Sequence, residues 1–138
     1  MRAIAMRTTA TILSVLIVAV AALLIGRATP ASGAKEEKVL RHVVLYKFKD
    51  DVSQAGVQEV IDAFAALPSK IDAIVGLEHG PNVSMEGKSE GLTYAFVVTF
   101  RDEQGRAAYL KHPAHDAYVL VVKDKREKVV VFDYWAGK

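Results

Sequence analysis

Two segments of this chain would carry apolar side chains on both faces of an extended backbone, and this feature limits the possible folds more than any other. Residues 39–48 (VLRHVVLYKF) and 93–101 (TYAFVVTFR) are rich in β-branched and aromatic residues, as is typical of strands. Successive side chains of a strand point to opposite faces, so Val43 and Val44 would both need cover. The pattern therefore predicts two central strands of a sheet that is covered on both sides.

A helix is predicted between these two strands. Ser53 is a good N-cap, and Pro68 ends the helical pattern. The apolar side chains between them recur at helical spacing and are Val57, Val60, Ile61, Phe64 and Leu67. The helix would bury this face against the sheet.

The remaining segments predict two further strands, one of them at a sheet edge, and a second, interrupted helical region. Residues 77–84 form a weaker strand, which Pro81 assigns to a sheet edge because proline cannot donate to a ladder. Asp102 can cap a short helix that runs to Leu110, and Pro113 is suited to begin a new helix. The inner face of that new helix would be Ala114, Ala117, Tyr118, Val121 and Val122. The last strand is predicted at residues 129–135.

The order of these elements predicts an α+β fold of the ferredoxin-like type. The sequence βαββαβ favours a four-stranded antiparallel sheet with the helices on one face. The strands at 39–48, 93–101 and 129–135 nevertheless have apolar residues on both faces. An uncovered apolar sheet needs a partner, and a second copy of the chain is the simplest one. We therefore expect a homodimer whose two sheets pack face to face.

Residues 1–34 have the layout of a secretory signal peptide. Arg2 and Arg7 precede an uncharged, apolar run over residues 8–26, and Pro30 and small residues follow it. The run is also close to the ~18 residues at which a membrane-spanning helix becomes credible. An uncleaved N-terminal anchor is therefore the alternative.

Both interpretations of the leader predict export. Cleavage would fall after Ala31 or Ala34, residues 35–38 would be a polar linker, and residues 39–138 would be the exported domain. The domain would lie in the periplasm or outside the cell, and a membrane would be a partner only if the leader stays uncleaved.

The basic charge of the whole chain belongs to this leader. Three of the 18 Lys and Arg residues lie in it and no acidic residue does, so 15 basic groups face 16 acidic groups in the remainder. Nucleic-acid binding depends on a basic face that neutralises phosphates, and we expect no such partner. The chain has no cysteine, so the domain must be stabilised by its core and not by disulfides.

Four segments of the domain resemble the stress-responsive dimeric α/β-barrel family, known as Dabb. They are His42–Lys49 (HVVLYKFK), Gly80–Ser84 (GPNVS), Tyr109–His115 (YLKHPAH) and Val131–Tyr134 (VFDY), and the resemblance covers about residues 39–135. It implies a ferredoxin-like subunit that dimerises through its sheets into a barrel, and it implies a role in stress response. We expect no cofactor.

One plant branch of that family cyclises linear polyketides, and its catalytic tyrosine and histidine match Tyr109 and His115. That branch also tends to have a histidine in the strand that begins at Thr93, where this chain has Tyr94. The resemblance therefore implies acid–base chemistry at Tyr109 and His115, and it is a weaker guide to the substrate.

Physical chemistry supports the same two residues as candidates. His115 would lie in the first turn of the helix that begins at Pro113, where the helix dipole disfavours imidazolium and leaves a neutral base. Tyr109 could donate a hydrogen bond to an enolate or carbonyl oxygen. The structural alternative is that His115 satisfies backbone groups at the kink and Tyr109 fills core space.

Other residues could complete a small-molecule site between the sheet and the helices. His42 shares the apolar face of the first strand and is either a third catalytic group or a hydrogen-bonded core histidine. Tyr46, Tyr94 and Asn82 are candidate ligand-binding residues. His112 is expected to cap the kink through a side-chain hydrogen bond.

Two functions remain open at this point. One is a non-catalytic dimer that binds a small hydrophobic ligand or acts in stress protection. The other is a cofactor-free enzyme that uses Tyr109 and His115 for cyclisation or isomerisation of a carbonyl compound. We predict no metal site, because His112 and His115 are the only close pair of histidines and zinc sites need three or four ligands. Motifs for phosphate loops, serine nucleophiles and dinucleotides are absent.

Overall fold

The computed structural model describes residues 38–137, which contain four strands and three helices. In chain order the elements are β1 (Val39–Phe48), α1 (Gln54–Ala65), a 3-10 turn (Leu67–Ser69), β2 (Gly76–Pro81), β3 (Tyr94–Phe100), α2 (Glu103–Leu110), α3 (Pro113–Val122) and β4 (Arg126–Ala136). The predicted leader and most of the predicted linker lie outside the described residues. Over residues 38–137, no helix has the length and the apolar character needed to cross a membrane.

The four strands form one antiparallel sheet in the order β2-β3-β1-β4. Strand β1 pairs with β3 on one side, with Val44 opposite Phe96, and with β4 on the other side, with Val44 opposite Val131. This topology confirms the predicted βαββαβ order, the ferredoxin-like α+β fold and the central positions of β1 and β3.

The core lies between the sheet and the helices. Leu40, His42, Val44 and Tyr46 alternate along β1 on the face toward the helices, and all four are buried. The strand β3 contributes three more buried side chains, and the helices close the core with others: Phe96, Val98, Phe100, Val60, Phe64, Tyr109, Tyr118 and Val122. The rings of Phe64 and Phe96 stack in this core with centroids 4.0 Å apart, and their burial contributes apolar area that is removed from water.

Local capping interactions start the helices where the sequence predicts them. The Gly56 N–H donates to Oγ of Ser53 at 3.1 Å, and the Gly105 N–H donates to the Asp102 carboxylate at 2.8 Å. Each bond satisfies a backbone donor that has no partner within its helix. The predicted starts of α1 and α2 are therefore confirmed.

Strand β2 is shorter than predicted and ends at Pro81 instead of residue 84. The cause is the side chain of Asn82, which accepts a hydrogen bond from the Ser84 N–H at 2.8 Å. Such a bond forms a local turn that replaces the strand ladder.

Strand β4 is longer than predicted. It begins at Arg126 and includes charged residues that an apolar pattern does not detect. An ion pair of 2.8 Å between Lys47 and Glu127 supports this extension of the pairing with β1. In α3, Ala117 is exposed and not on the inner face, because Tyr118 and Val122 set the buried side of this helix.

The second face of the sheet, which we call the outer face, is apolar and incompletely covered. It consists of Val43, Leu45, Ala95, Val97 and Phe132, with Tyr134 at its end. Phe132 is 63 % exposed and Tyr134 is 43 % exposed, although both belong to paired strands. Large exposed apolar groups of this kind mark an interaction surface.

Candidate active site

The fold brings the three predicted catalytic residues together, and we call them the His42–Tyr109–His115 cluster. His42 lies on β1, Tyr109 on the last turn of α2 and His115 on the first turn of α3. The ring centroids of Tyr109 and His115 are 4.5 Å apart, and those of His42 and Tyr109 are 5.7 Å apart. A strand and two helices therefore each contribute one residue to this cluster.

The kink between α2 and α3 produces the contact between Tyr109 and His115. The N–H of His112 donates to the Tyr109 carbonyl at 3.1 Å, and the N–H of His115 donates to the His112 carbonyl at 2.9 Å. Nδ1 of His112 accepts from the Ala114 N–H at 3.1 Å, which confirms the predicted cap. Pro113 is the first residue of α3, a position that suits proline because its missing N–H has no partner within the helix there.

The side chain of His112, and not that of His115, caps the first turn of α3. The Nδ1 atom of His115 is buried and has no hydrogen-bond partner, although the imidazole as a whole is half-buried. A buried polar atom without a partner costs about 1–3 kcal/mol of stability. Unpaired atoms of this kind are therefore rare and call for an explanation, such as a role in catalysis. Burial lowers the pKa of His115, and the Asp116 carboxylate and the backbone of Leu110 oppose this only in part. A neutral imidazole at neutral pH can accept a proton.

Tyr109 is almost completely buried and packs against Phe100, with ring centroids 5.2 Å apart. The ring therefore fills core space, as the structural alternative expects. Burial also raises the pKa of its phenol above the ordinary value, so the hydroxyl keeps its proton. A protonated phenol beside a neutral imidazole is a pairing of hydrogen-bond donor and proton acceptor.

Two residues that the sequence analysis missed complete the surroundings of His42. The Asp133 carboxylate lies 2.6 Å from Nδ1 of His42, and its second oxygen accepts from Nη1 of Arg106 at 2.6 Å. Asp133 stands directly opposite His42 in the pairing of β1 with β4. Its sequence signal was a single acidic residue within the apolar segment VVVFDYW. Arg106 is three residues before Tyr109, so the two share one side of α2.

Tyr46 is buried and is hydrogen-bonded to a second tyrosine of the core. It accepts a hydrogen bond of 2.9 Å from the hydroxyl of Tyr118, and its ring packs against Phe48 and Phe96. Burial raises the pKa values of both phenols in this pair. Tyr46 is four positions after His42 on the same face of β1, about 13 Å along the strand. Burial and, in addition, Tyr46 raise the pKa of Tyr109. Tyr46 is therefore part of a hydrogen-bonded pair of core tyrosines.

Tyr94 and Asn82 lie together at the other end of the sheet. The Tyr94 hydroxyl is 2.9 Å from Nδ1 of His79, and the Asn82 side chain donates to the Leu92 carbonyl at 3.2 Å. Both residues line a cavity of about 290 Å³ next to the outer face. The other residues of this cavity are Leu45, Lys88, Ser89, Glu90, Leu92 and Ala95. These two predicted ligand-binding residues are thus separated from the three predicted catalytic ones.

Metal ligands are not grouped in the part of the chain that the structure describes. Within residues 38–137, no three histidine or acidic side chains are close enough together to hold a metal ion. The polar groups of the cluster are an imidazole with a carboxylate, a phenol and a second imidazole. Such groups are able to move protons and stabilise an oxyanion by themselves.

Comparisons with known proteins agree with this fold. Residues 40–136 match the model of the family described as "Stress responsive A/B Barrel Domain". The stress-response A/B barrel domain-containing protein HS1 of Arabidopsis thaliana is 35% identical over 95 residues, which are 69% of this chain and 87% of that protein. Olivetolic acid cyclase of Cannabis sativa is 32% identical over 99 residues, which are 72% of this chain and 98% of the cyclase.

A solved structure from Bacteroides fragilis, described as a dimeric protein of unknown function with a ferredoxin-like fold, superimposes with a TM-score of 0.57. It is 29% identical and covers 70% of this chain and 94% of its own. Since the family match spans nearly the whole described domain, this chain belongs to the stress-responsive A/B barrel domain (Dabb) family.

Proposed function

We propose that this protein is a cofactor-free acid–base catalyst that acts on a small carbonyl compound at the His42–Tyr109–His115 cluster. The observation that carries the proposal is the buried, unpartnered Nδ1 of His115 beside the buried Tyr109 ring. The unpaired Nδ1 atom lowers the stability of the fold. Such a cost is expected where a bound substrate supplies the missing hydrogen-bond partner. The similarity to a cyclase at 32% identity supports the same reaction class.

A ring closure illustrates the chemistry. His115 takes a proton from a carbon next to a carbonyl, and the enolate oxygen accepts a hydrogen bond from the Tyr109 hydroxyl. The enolate carbon then attacks a second carbonyl of the same molecule, a carbon–carbon bond forms, and the new alkoxide takes the proton back from His115. Loss of water gives the unsaturated ring. Protons and electrons balance without an oxidant, a reductant or a metal.

The test uses a simple triketone, heptane-2,4,6-trione, whose intramolecular aldol closure and loss of water yield 5-methylbenzene-1,3-diol. Protein expressed from the full chain is incubated with the triketone, and the diol is measured by liquid chromatography. General base catalysis contributes about 10²–10⁴-fold, so His115→Gln should remove most of the acceleration. His79→Gln is the matched control, because His79 is exposed and outside the cluster. Equal rates in both variants would contradict the proposal.

A second candidate is a non-catalytic dimer that holds a small hydrophobic ligand, as in a stress-protective role. The observation that favours it is the cavity beside the outer face, where Leu45, Leu92 and Ala95 offer apolar contact. The fluorescent probe 8-anilinonaphthalene-1-sulfonate tests it directly. This candidate would be favoured over the enzyme by two results together. The probe binds and Ala95→Phe weakens its binding, and the unmodified protein does not close the triketone.

Two further properties belong to the same proposal. The apolar outer face and the dimeric description of the Bacteroides fragilis structure support a homodimer through this face. The apolar run of residues 8–26 and the small residues after it support export of the domain, with residues 1–34 as its leader.

A further inference from the structure

Asp133 holds two partners at once, and they belong to different elements. One carboxylate oxygen lies 2.6 Å from His42 on β1, and the other accepts from Arg106 on α2 at the same distance. The side chains of Arg106 and Asp133 are each 27 % exposed, whereas that of His42 is 7 % exposed. The three groups form a chain from the surface to the buried ring. Charge-assisted hydrogen bonds of this kind are short and directional.

The contact with Asp133 defines which nitrogen of His42 carries the proton. An ionised carboxylate can only accept hydrogen bonds, so Nδ1 of His42 must be the donor in the contact of 2.6 Å. In a neutral imidazole the other nitrogen, Nε2, then has the free lone pair. His42 also packs edge-on against Tyr109. It is therefore a second potential proton acceptor in the cluster, next to the phenol that also contacts His115.

Arg106 holds the carboxylate in this arrangement. Asp133 lies on the edge strand β4, where a partly exposed side chain could turn toward water. The guanidinium binds the second oxygen and so keeps the first one on His42. It also connects α2, the helix that carries Tyr109, to the strand that carries Asp133. Side chains that orient a histidine through hydrogen bonds are common around reactive groups in proteins.

We propose that Arg106 is a positioning residue of the site, which holds Asp133 on Nδ1 of His42 and thereby makes Nε2 of His42 a second proton acceptor. This inference rests on the proposed function, since a proton acceptor matters only if protons are transferred. The residues around His42 include Asp133 from β4, Tyr109 from α2 and Phe100 from β3. His115 from α3 is also close, since burial and the proximity of His42 both lower its pKa.

The test compares Arg106→Met and Arg106→Lys with Arg101→Met, which removes an exposed arginine at the end of β3. The first readout needs no substrate. It is the proton resonance of His42 Nδ1–H in the unliganded protein, assigned through His42→Gln. We expect Arg106→Met to shift this resonance or broaden it, Arg106→Lys to restore it in part, and Arg101→Met to leave it unchanged.

The second readout is closure of heptane-2,4,6-trione. We expect Arg106→Met to lower kcat about tenfold or more with a smaller change in KM, as for groups that orient a site residue. A shift of the resonance with no triketone closure by the unmodified protein would support the positioning of His42 and contradict the proposed function. If the resonance is unchanged in Arg106→Met and only the melting temperature falls, the proposal is overturned. Arg106 would then serve only as a structural ion-pair partner of Asp133.

Discussion

The ring centroids of Tyr109 and His115 lie 4.5 Å apart, although the two residues belong to different helices. The segment between them contains the capping His112 and the helix-starting Pro113, so the contact arises from a short stretch of chain. A donor phenol and an acceptor imidazole are therefore held together by local structure. The chemical role of this pair can be separated from its role in packing by substitutions that keep the rings and remove single polar groups.

Tyr109→Phe should lower the rate of triketone closure while it changes stability little. The substitution keeps the ring that packs against Phe100 and removes only the hydroxyl. Loss of one donor to a developing oxyanion costs about 10²–10³-fold in rate. We expect the free energy of unfolding to change by about 1 kcal/mol at most. Urea unfolding and product formation are the measurements, and a large loss of stability with an unchanged rate would assign Tyr109 to the core alone.

Tyr118→Phe should show the opposite behaviour. It leaves the buried Tyr46 hydroxyl without the donor that lies 2.9 Å away. The loss of this hydrogen bond to a buried group should lower the free energy of unfolding by about 1 kcal/mol, because the Arg126 side chain still bonds the Tyr46 hydroxyl, and unfolding in urea should need less denaturant. Removal of both hydroxyls, in Tyr46→Phe with Tyr118→Phe, should cost less than the sum of the two single changes. The rate of triketone closure should stay the same, and a fall in that rate would connect this pair to the active site.

The stability of the domain should fall on mild acidification because of His115. Burial lowers the pKa of His115 from 6.5, so the unfolded chain binds a proton at a higher pH than the folded chain does. Its contribution is fully present above pH 6.5 and is lost as the pH falls from there through the lower folded pKa.

The measurement is urea unfolding of the unmodified protein and of His115→Gln across this pH range. The variant should show a smaller fall in the free energy of unfolding, because it lacks the group. An identical pH dependence in both proteins would mean that other groups cause the loss.

Phe132→Ser should weaken the homodimer. Phe132 lies on the outer face and is 63 % exposed, so its apolar surface needs a partner. Leu120→Ser is the matched control, because Leu120 is also 63 % exposed but lies on α3. Sedimentation equilibrium should show a higher dissociation constant for the first variant only. A monomer at all concentrations of the unmodified protein would refute the face-to-face dimer.

Export predicts a shortened chain. If residues 1–34 are a signal peptide, the mature protein should begin at Ser32 or Lys35, after cleavage behind Ala31 or Ala34. Mass spectrometry of the protein in the exported fraction measures this directly. An intact N-terminus in a membrane fraction would favour the anchor, and an intact chain in the cytoplasm would contradict export.

The features that follow from neighbouring residues could be read from the chain alone. The two-faced apolar pattern of residues 39–48 and 93–101 was sufficient to predict central strands, and capping residues Ser53 and Asp102 predicted the helix starts. The kink at Pro113 is of the same kind. At the caps and at the kink the stabilising interaction joins groups within one turn, so the residue types are enough to predict it, whereas the central strands were indicated by apolar side chains on both faces.

The surroundings of His42 could not be predicted in this way. Asp133 lies 91 positions further along the chain, and Arg106 reaches it from a helix. Their meeting depends on the register of β1 with β4, and a shift by one residue would turn Asp133 to the outer face. The same holds for Tyr46, whose partner Tyr118 is 72 positions away. Such contacts depend on how separate elements pack, because register and packing result from the whole core and not from any one segment.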